Sequence, residues 1–315
     1  KVDMTTSTTL TDRQRFLDHM HYRTPDRYPL YDFNFWDETI PAWYEQGLDR
    51  KWTRKNIHQL FGLDASLGGG DNTAVQAIQT NCGLLPVFEH QVLEDLGDEQ
   101  IVRQSDGALV RQHKHHVSIP PHVGHTLVDR ASWKKHYLPK LQADDPARFC
   151  DHWESHVAQH SHPERDYVLQ VYAGSMFGRL RDWMGMENIA LVPYDDPAWF
   201  EEMVTTMGDI AIATLTKVFE SGLRPEWCHM WEDMCYNSGP LLGPDHFVQY
   251  LVPQYRRITE LCNRYGCDIV SVDCDGKIDE PFPEKEQPCD GEADSDKCKN
   301  GTNKLNRNRT RNRIF

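Results

Sequence analysis

The stretch CDIVSVDCDG, residues 267–276, decides how the chain is read. Val270, Val272 and Cys274 alternate with Ser271, Asp273 and Asp275, the period of two expected of a strand. One face is apolar enough to meet helices, and the other ends in two carboxylates. Working backwards, residues 244–265 predict a helix kinked at Pro253. PEWCHMW, residues 225–231, predicts the preceding strand, followed by a loop from Glu232 to Gly243. Before that strand, Asp196 caps a long helix with Pro197 in its first turn. Phe200, Val204, Met207, Ala211, Leu215 and Val218 supply its buried stripe, and Gly222 ends it. YVLQVYAG, residues 167–174, is a further strand leading into a helix around residues 176–184. Strand and helix alternating at this spacing predict parallel βαβ units, hence an α/β fold. A (β/α)8 barrel of the TIM type suits it, with functional groups at the carboxyl ends of the strands; a doubly wound open sheet is the alternative.

The upstream half reads differently. Thr11 and Gln14 form a capping-box pattern ahead of a short helix whose Phe16, Leu17 and Met20 share one face. TPDRYPLYDF gives a turn and a strand, residues 37–47 and 53–60 read as helices, and LGGGDN lacks the residues of a phosphate loop and reads as a plain turn. From Val87 to His116 the pattern is extended and antiparallel, with QSDGAL as the hairpin turn. Asp129 caps a helix through Tyr137, and another runs from Pro146 to about Val157.

Composition sets limits. A chain of 315 residues, 39% of them hydrophobic, can fill a sizeable core, and a net charge of −14 disfavours nonspecific nucleic-acid binding. No apolar run is long enough to span a membrane, and the polar start resembles no signal peptide, so a cytoplasmic location is expected. Lys1 is not a methionine, and the natural start is expected at Met4 or upstream. The nine cysteines show no CxxC pairing and read as reduced thiols; Cys262 and Cys267 read as core residues, with half of a zinc site as the alternative.

Several stretches, in order from about Leu10 to Asp279, resemble the uroporphyrinogen decarboxylase superfamily, which also contains cobamide-dependent methyltransferases. They are LTDRQRFLDHMHYRTPDRYPLYDF, FGLD, PVFEHQVLEDLGDEQIVRQSDGALVRQ and WEDMCYNSGPLLGPDHFVQYLVPQYRRITELCNRYGCDIVSVDCDG. The resemblance implies a (β/α)8 barrel in which CDIVSVDCDG is about the fifth strand of eight. GKIDE should then open the helix leading to the remaining three strands. The chain turns instead into residues 281–315, where Phe282, Leu305, Ile314 and Phe315 are the large apolar residues. The expectation is an incomplete barrel domain over 1–280, about five of eight βα units, with a disordered low-complexity tail over 281–315. A change of reading frame is the simplest expected cause, and a natural partner-binding tail is the alternative. The basic NRNRTRNR end offers nucleic acid only weak, salt-sensitive contact.

The resemblance also frames the chemistry. Where the family's decarboxylases carry arginines after the first strand, this chain has Asp32 and Asp37; where they carry a serine after the fourth, it has Asp233. The methyltransferases use zinc, held partly by a His-x-Cys-Gly stretch, to activate a thiol. Aligned on Gly276, Asp273 and Asp275 stand at those positions and are the candidate metal ligands; two carboxylates suit a harder ion, or no metal. A corrinoid is the implied co-substrate, and a small-molecule substrate and a corrinoid protein are the implied partners. The expected function is a protein derived from a corrinoid- or thiol-linked methyltransferase. Decarboxylation of a carboxylated substrate, and a noncatalytic binding protein or inactive truncated product, are the alternatives.

From the residues themselves, Asp32, Glu232 and Asp233 are candidate acids or bases at strand ends, with capping as the structural alternative for Glu232, Asp233 and Asp275. Arg179, Arg181, Trp231 and Asn237 are candidate substrate contacts, the arginines being equally readable as helix-surface charges. HKHH at 113–116, with His122 and His125, invites a metal but reads better as a solvated face, with His113 and His115 together and His116 opposite. Trp36, Trp183 and Trp231 line a cleft or belong to the core.

Overall fold

The computed structural model describes residues 9–67, 74–116 and 119–278. The tail and most of the LGGGDN loop lie outside them. Helix α1 (Asp12–Met20) is capped by the Thr11 side chain, which accepts from the Gln14 N–H at 3.2 Å. Strand β1 (Tyr31–Asp32), helices α2 (Thr39–Glu45) and α3 (Ile57–Leu60), and strand β2 (Ala65–Ser66) follow, with β1 and β2 paired in parallel. Then come β3 (Val75–Ala77) and the antiparallel strands β4 (Gln91–Asp95), β5 (Glu99–Arg103), β6 (Ala108–His113) and β7 (His122–His125). Next are α4 (Arg130–Ser132), a π-helical turn to Tyr137, and α5 (Trp153–His160). The βα run comprises β8 (Val168–Tyr172), α6 (Gly178–Met184), α7 (Met186–Asp195), α8 (Pro197–Glu220) and β9 (Trp227–Trp231). A hairpin of β10 (Cys235–Tyr236) and β11 (Gly239–Pro240), then α9 (Pro244–His246), α10 (Val252–Arg264) and β12 (Ile269–Asp273) complete it.

The fold is mixed α/β, with a parallel sheet ordered β3-β8-β9-β12 and an antiparallel sheet ordered β4-β5-β6-β7. The parallel strands lie side by side in chain order with no reversal, unlike the doubly wound alternative, whose order reverses at a switch point. Among the described residues they do not close into a barrel. The alternation read from CDIVSVDCDG sets the two faces of the sheet. Leu169 and Val171 of β8 and Cys228 and Met230 of β9 are fully buried in one cluster with the α8 stripe, from Phe200 to Val218, and with Tyr255 and Ile258 of α10. Completely burying side chains of this size stabilises by about 1.5–3 kcal/mol each.

The opposite face is graded along the strands. At the amino end, Val168, Trp227 and Ile269 pack against Phe16 of α1, whose ring lies 5.5 Å from that of Trp227 and 6.3 Å from Tyr31. In the middle, Ser271 Oγ meets Trp227 Nε1 at 2.7 Å and His229 Nδ1 at 2.9 Å. At the carboxyl end the face carries Trp231 and Asp273, which are register partners.

Several expectations need correction. The helix expected from Pro146 to Val157 is two pieces, a 3-10 turn over Pro146–Arg148 and α5, because Phe149 bridges to Thr80 and the Asn81 N–H donates to the Arg148 carbonyl at 2.8 Å. The expected helix over 53–60 is helical only from Ile57. Pro253 stands in the first turn of α10, and the irregularity precedes it as a π-helical turn over Phe247–Leu251. Strand β6 ends at His113, so His113 faces His116, with rings 5.8 Å apart, rather than His115. Trp183 is buried in the core, whereas Trp36 is exposed.

Candidate functional site

The carboxyl ends of β8, β9 and β12 converge on a group of charged side chains, and Glu232 organises it. This residue, the first after β9, is wholly buried. One carboxylate oxygen accepts from the Met176 N–H at 2.7 Å; the other accepts from Phe177 at 2.8 Å, Gly178 at 2.9 Å and the Ser175 hydroxyl at 3.0 Å. These donors form the turn that opens α6, so the carboxylate fixes the β8–α6 loop. Gly178 is needed for this approach, since a Cβ there would stand 2.5 Å from the Glu232 carbonyl oxygen. Burial pushes the Glu232 carboxyl upward, while the backbone donors pull the other way.

Asp233 is placed differently. Its φ of +42° is sparsely populated for a residue other than glycine. Arg181 Nη1 donates to its carbonyl at 2.7 Å, and its carboxylate lies 3.9 Å from Arg181 Nη2. The other carboxylate oxygen, Oδ1, is buried and has no hydrogen-bond partner among the described residues. Burial first, then the Asp275 charge, raises the Asp233 carboxyl above its ordinary value, with Arg181 opposing. Asp182, 3.1 Å from Arg181 Nη2, is likewise raised by burial.

Trp231, the last residue of β9, has the Arg179 guanidinium 5.2 Å and the Arg181 guanidinium 5.3 Å from its ring centroid. The Asp273 carbonyl accepts from the N–H groups of Glu232 at 3.1 Å and Asp233 at 3.2 Å. The β10–β11 hairpin lies against Gly276, where any Cβ would clash with the Cys235 and Tyr236 backbone. Asn237, in the turn of this hairpin, is exposed. Asp32 belongs to the separate β1–β2 pair and accepts from the Asn34 N–H at 3.2 Å. The sequence candidates thus fall into a joined group of Glu232, Asp233, Arg179, Arg181, Trp231 and Asp273, with Asp32 on a different sheet.

Beside this group opens a cavity of about 540 Å3, lined by His122–His125 of β7, Arg181, Asp182 and residues 185–188. Its size suits a small molecule, and Arg181 belongs both to it and to the Asp233 contact. His125 is lowered from its ordinary value, chiefly by burial. Asp182 escaped the sequence reading because nothing in RLRDW distinguishes it from a helix-surface acid. His122 and His125 were visible as histidines but not as a wall opposite Arg181.

Asp273 closes β12 and Asp275 follows it by two residues. Among the described residues, these carboxylates and Asp233 do not converge as a set of three ligand atoms; the one such set is elsewhere.

No family model matches the chain, and no curated protein matches it. Among solved structures it is similar to a methyltransferase from Methanosarcina mazei over 87% of this chain and 72% of that one, at 12% identity and a TM-score of 0.44. Similarity of that degree assigns neither chemistry nor substrate. No helix of the described residues is long and apolar enough to cross a membrane.

Proposed function

We propose that the chain is a small-molecule enzyme derived from the uroporphyrinogen decarboxylase type of barrel, working at the carboxyl ends of its parallel strands. The observation that carries this reading is Asp233: at positive φ, partly buried, raised above its ordinary value and left, among the described residues, with an unpartnered oxygen beside Arg181. A carboxyl so placed serves as general acid or base. Arg179 and Arg181 hold an anionic group of the substrate against the Trp231 face, and Glu232 keeps the β8–α6 loop in place beneath them.

Methyl transfer from a corrinoid co-substrate to a thiol stands ahead of decarboxylation, because Asp32 and Asp37 occupy the stretch where the decarboxylases have arginines. In that reaction Asp233 takes the proton of the acceptor thiol as its sulfur bonds the methyl carbon. The electron pair of the cobalt–carbon bond stays with the corrinoid.

Incubating the full chain with methylcobalamin and a panel of thiols, with a porphyrinogen as control, tests the order. Thiol methylation that is lost in Arg181→Ala supports it. Clean decarboxylation of the porphyrinogen reverses it, and folded protein with neither activity favours a binding protein.

A further inference from the structure

A second centre of chemistry-bearing side chains lies outside the cleft. In CDHWESHVAQH, residues 150–160, a cysteine precedes α5 by three positions, His152 is the residue at its N-terminal boundary, and His156 follows four positions later. Residues four apart on a helix share a face. Here the local fold adds Cys150 to that face. The Cys150 sulfur and one ring nitrogen each from His152 and His156 all lie within 4.8 Å of one another. Cys150 is a free thiol.

We infer that Cys150, His152 and His156 form a zinc-binding site with three protein ligands and a fourth position open to water. A thiolate with two imidazoles is a donor set that zinc prefers over magnesium or calcium. Around a tetrahedral zinc the same atoms stand about 3.3–3.6 Å apart, given bonds of about 2.0–2.1 Å to nitrogen and about 2.3 Å to sulfur. The set therefore needs only side-chain adjustment to close on an ion. Its burial is graded in the way an accessible site requires: His156 is buried, Cys150 is partly covered and His152 is exposed.

The surroundings hold the innermost ligand. The His156 ring stacks on Trp153 at 5.7 Å and meets His160 at 4.5 Å, and His160 is itself fixed by its 2.8 Å contact with the Tyr167 hydroxyl. His156 Nε2 accepts from the Gln79 N–H at 3.2 Å. A metal on that nitrogen replaces this bond, and a metal on Nδ1 leaves Nε2 protonated and facing the same N–H, so binding disturbs the Gln79 amide in either case. Gln79 stands two residues beyond β3, and the neighbouring Thr80 bridges to Phe149. The ion consequently ties the start of α5 to the edge of the parallel sheet. None of these residues belongs to the cleft, so the site stands apart from the proposed catalytic reading.

The test is titration of the metal-free full chain with Co2+, a spectroscopic substitute for zinc, followed by competition with Zn2+. The expected result is one equivalent bound with a thiolate-to-cobalt charge-transfer band, displaced by zinc, and faster hydrogen exchange or a shift at the Gln79 amide. Cys150→Ser should abolish the charge-transfer band, and His152→Ala, at an exposed ring, should weaken binding more than about tenfold. An Asp273→Asn, Asp275→Asn double variant should bind as the parent does. Absence of the band in the parent, or its persistence in folded Cys150→Ser, overturns the proposal. So does unchanged affinity in His152→Ala, which remains a usable test should the cysteine variant fail to fold.

Discussion

The two ends of the parallel sheet are built from the same strands and hold their charges in opposite ways. At the amino end, Glu226 accepts from Arg13 at 2.8 and 3.0 Å, from Arg165, and from the Leu169 N–H at 2.8 Å. Arg15 is almost wholly buried and is met by Asp12 and Asp26, the latter held at about 2 chiefly by the Arg15 hydrogen bond. At the carboxyl end, Glu232, Asp233 and Asp182 are all raised by burial. The pairing with Arg15 favours the ionised form of Asp26 in the folded chain, and burial at the carboxyl end disfavours that of Glu232, Asp233 and Asp182. Glu232 offsets its burial with four hydrogen bonds that hold the β8–α6 loop, whereas Asp233 has, among the described residues, only the 3.9 Å approach of Arg181 to set against its own.

The largest effect expected of this contrast is at Glu226. Glu226→Ala leaves Arg165, itself buried, without its carboxylate, and should cost about 3–5 kcal/mol in urea unfolding. A loss below about 1 kcal/mol, the scale of a surface pair, would erase the difference between the two ends. Smaller, and opposite in sign, is Asp233→Asn. Asparagine tolerates positive φ and carries no charge to desolvate, so the variant should gain about 0.5–2 kcal/mol at neutral pH. A destabilised Asp233→Asn would identify the residue as a structural cap.

The smallest effect is in acid. Because Asp26 is lowered from 3.8 to about 2 in the folded chain, its contribution is present above pH 3.8 and is lost as pH falls towards 2. For Glu232 the sign reverses. Its raised carboxyl contributes most below its ordinary value of 4.5 and loses that contribution as pH rises through the folded value. Asp26→Asn should flatten the acid side of the stability–pH curve, and a curve of unchanged shape would count against the pairing with Arg15.

How much of this was legible depends on the range of the interactions. The cap at Thr11, the turn at Asp106-Gly107 and the two faces of β12 are local or periodic, and each stands where the sequence puts it. The convergence of Glu232, Asp233 and Arg181 was legible only as strand-end position. The role of Glu232 was hidden because its four donors lie 54–57 residues upstream and three of them are backbone groups, which any sequence possesses. β3 escaped notice because three residues carry no period. The break before α5 depends on the Thr80–Phe149 bridge, a tertiary contact. The Cys150, His152 and His156 set was overlooked for a related reason: the helix was expected to run through residue 150, which would have put the cysteine on another face.

The central claim is that the carboxyl end of the sheet is a working site in which Asp233 handles a proton. The most direct measurement is methyl-transfer turnover by the full chain and by Asp233→Asn, each at a concentration where both are fully folded. The expected result is a variant at least as stable as the parent whose turnover falls by about 100-fold or more, the scale of a lost general acid or base. Turnover in Asp233→Asn equal to that of the parent would contradict the claim.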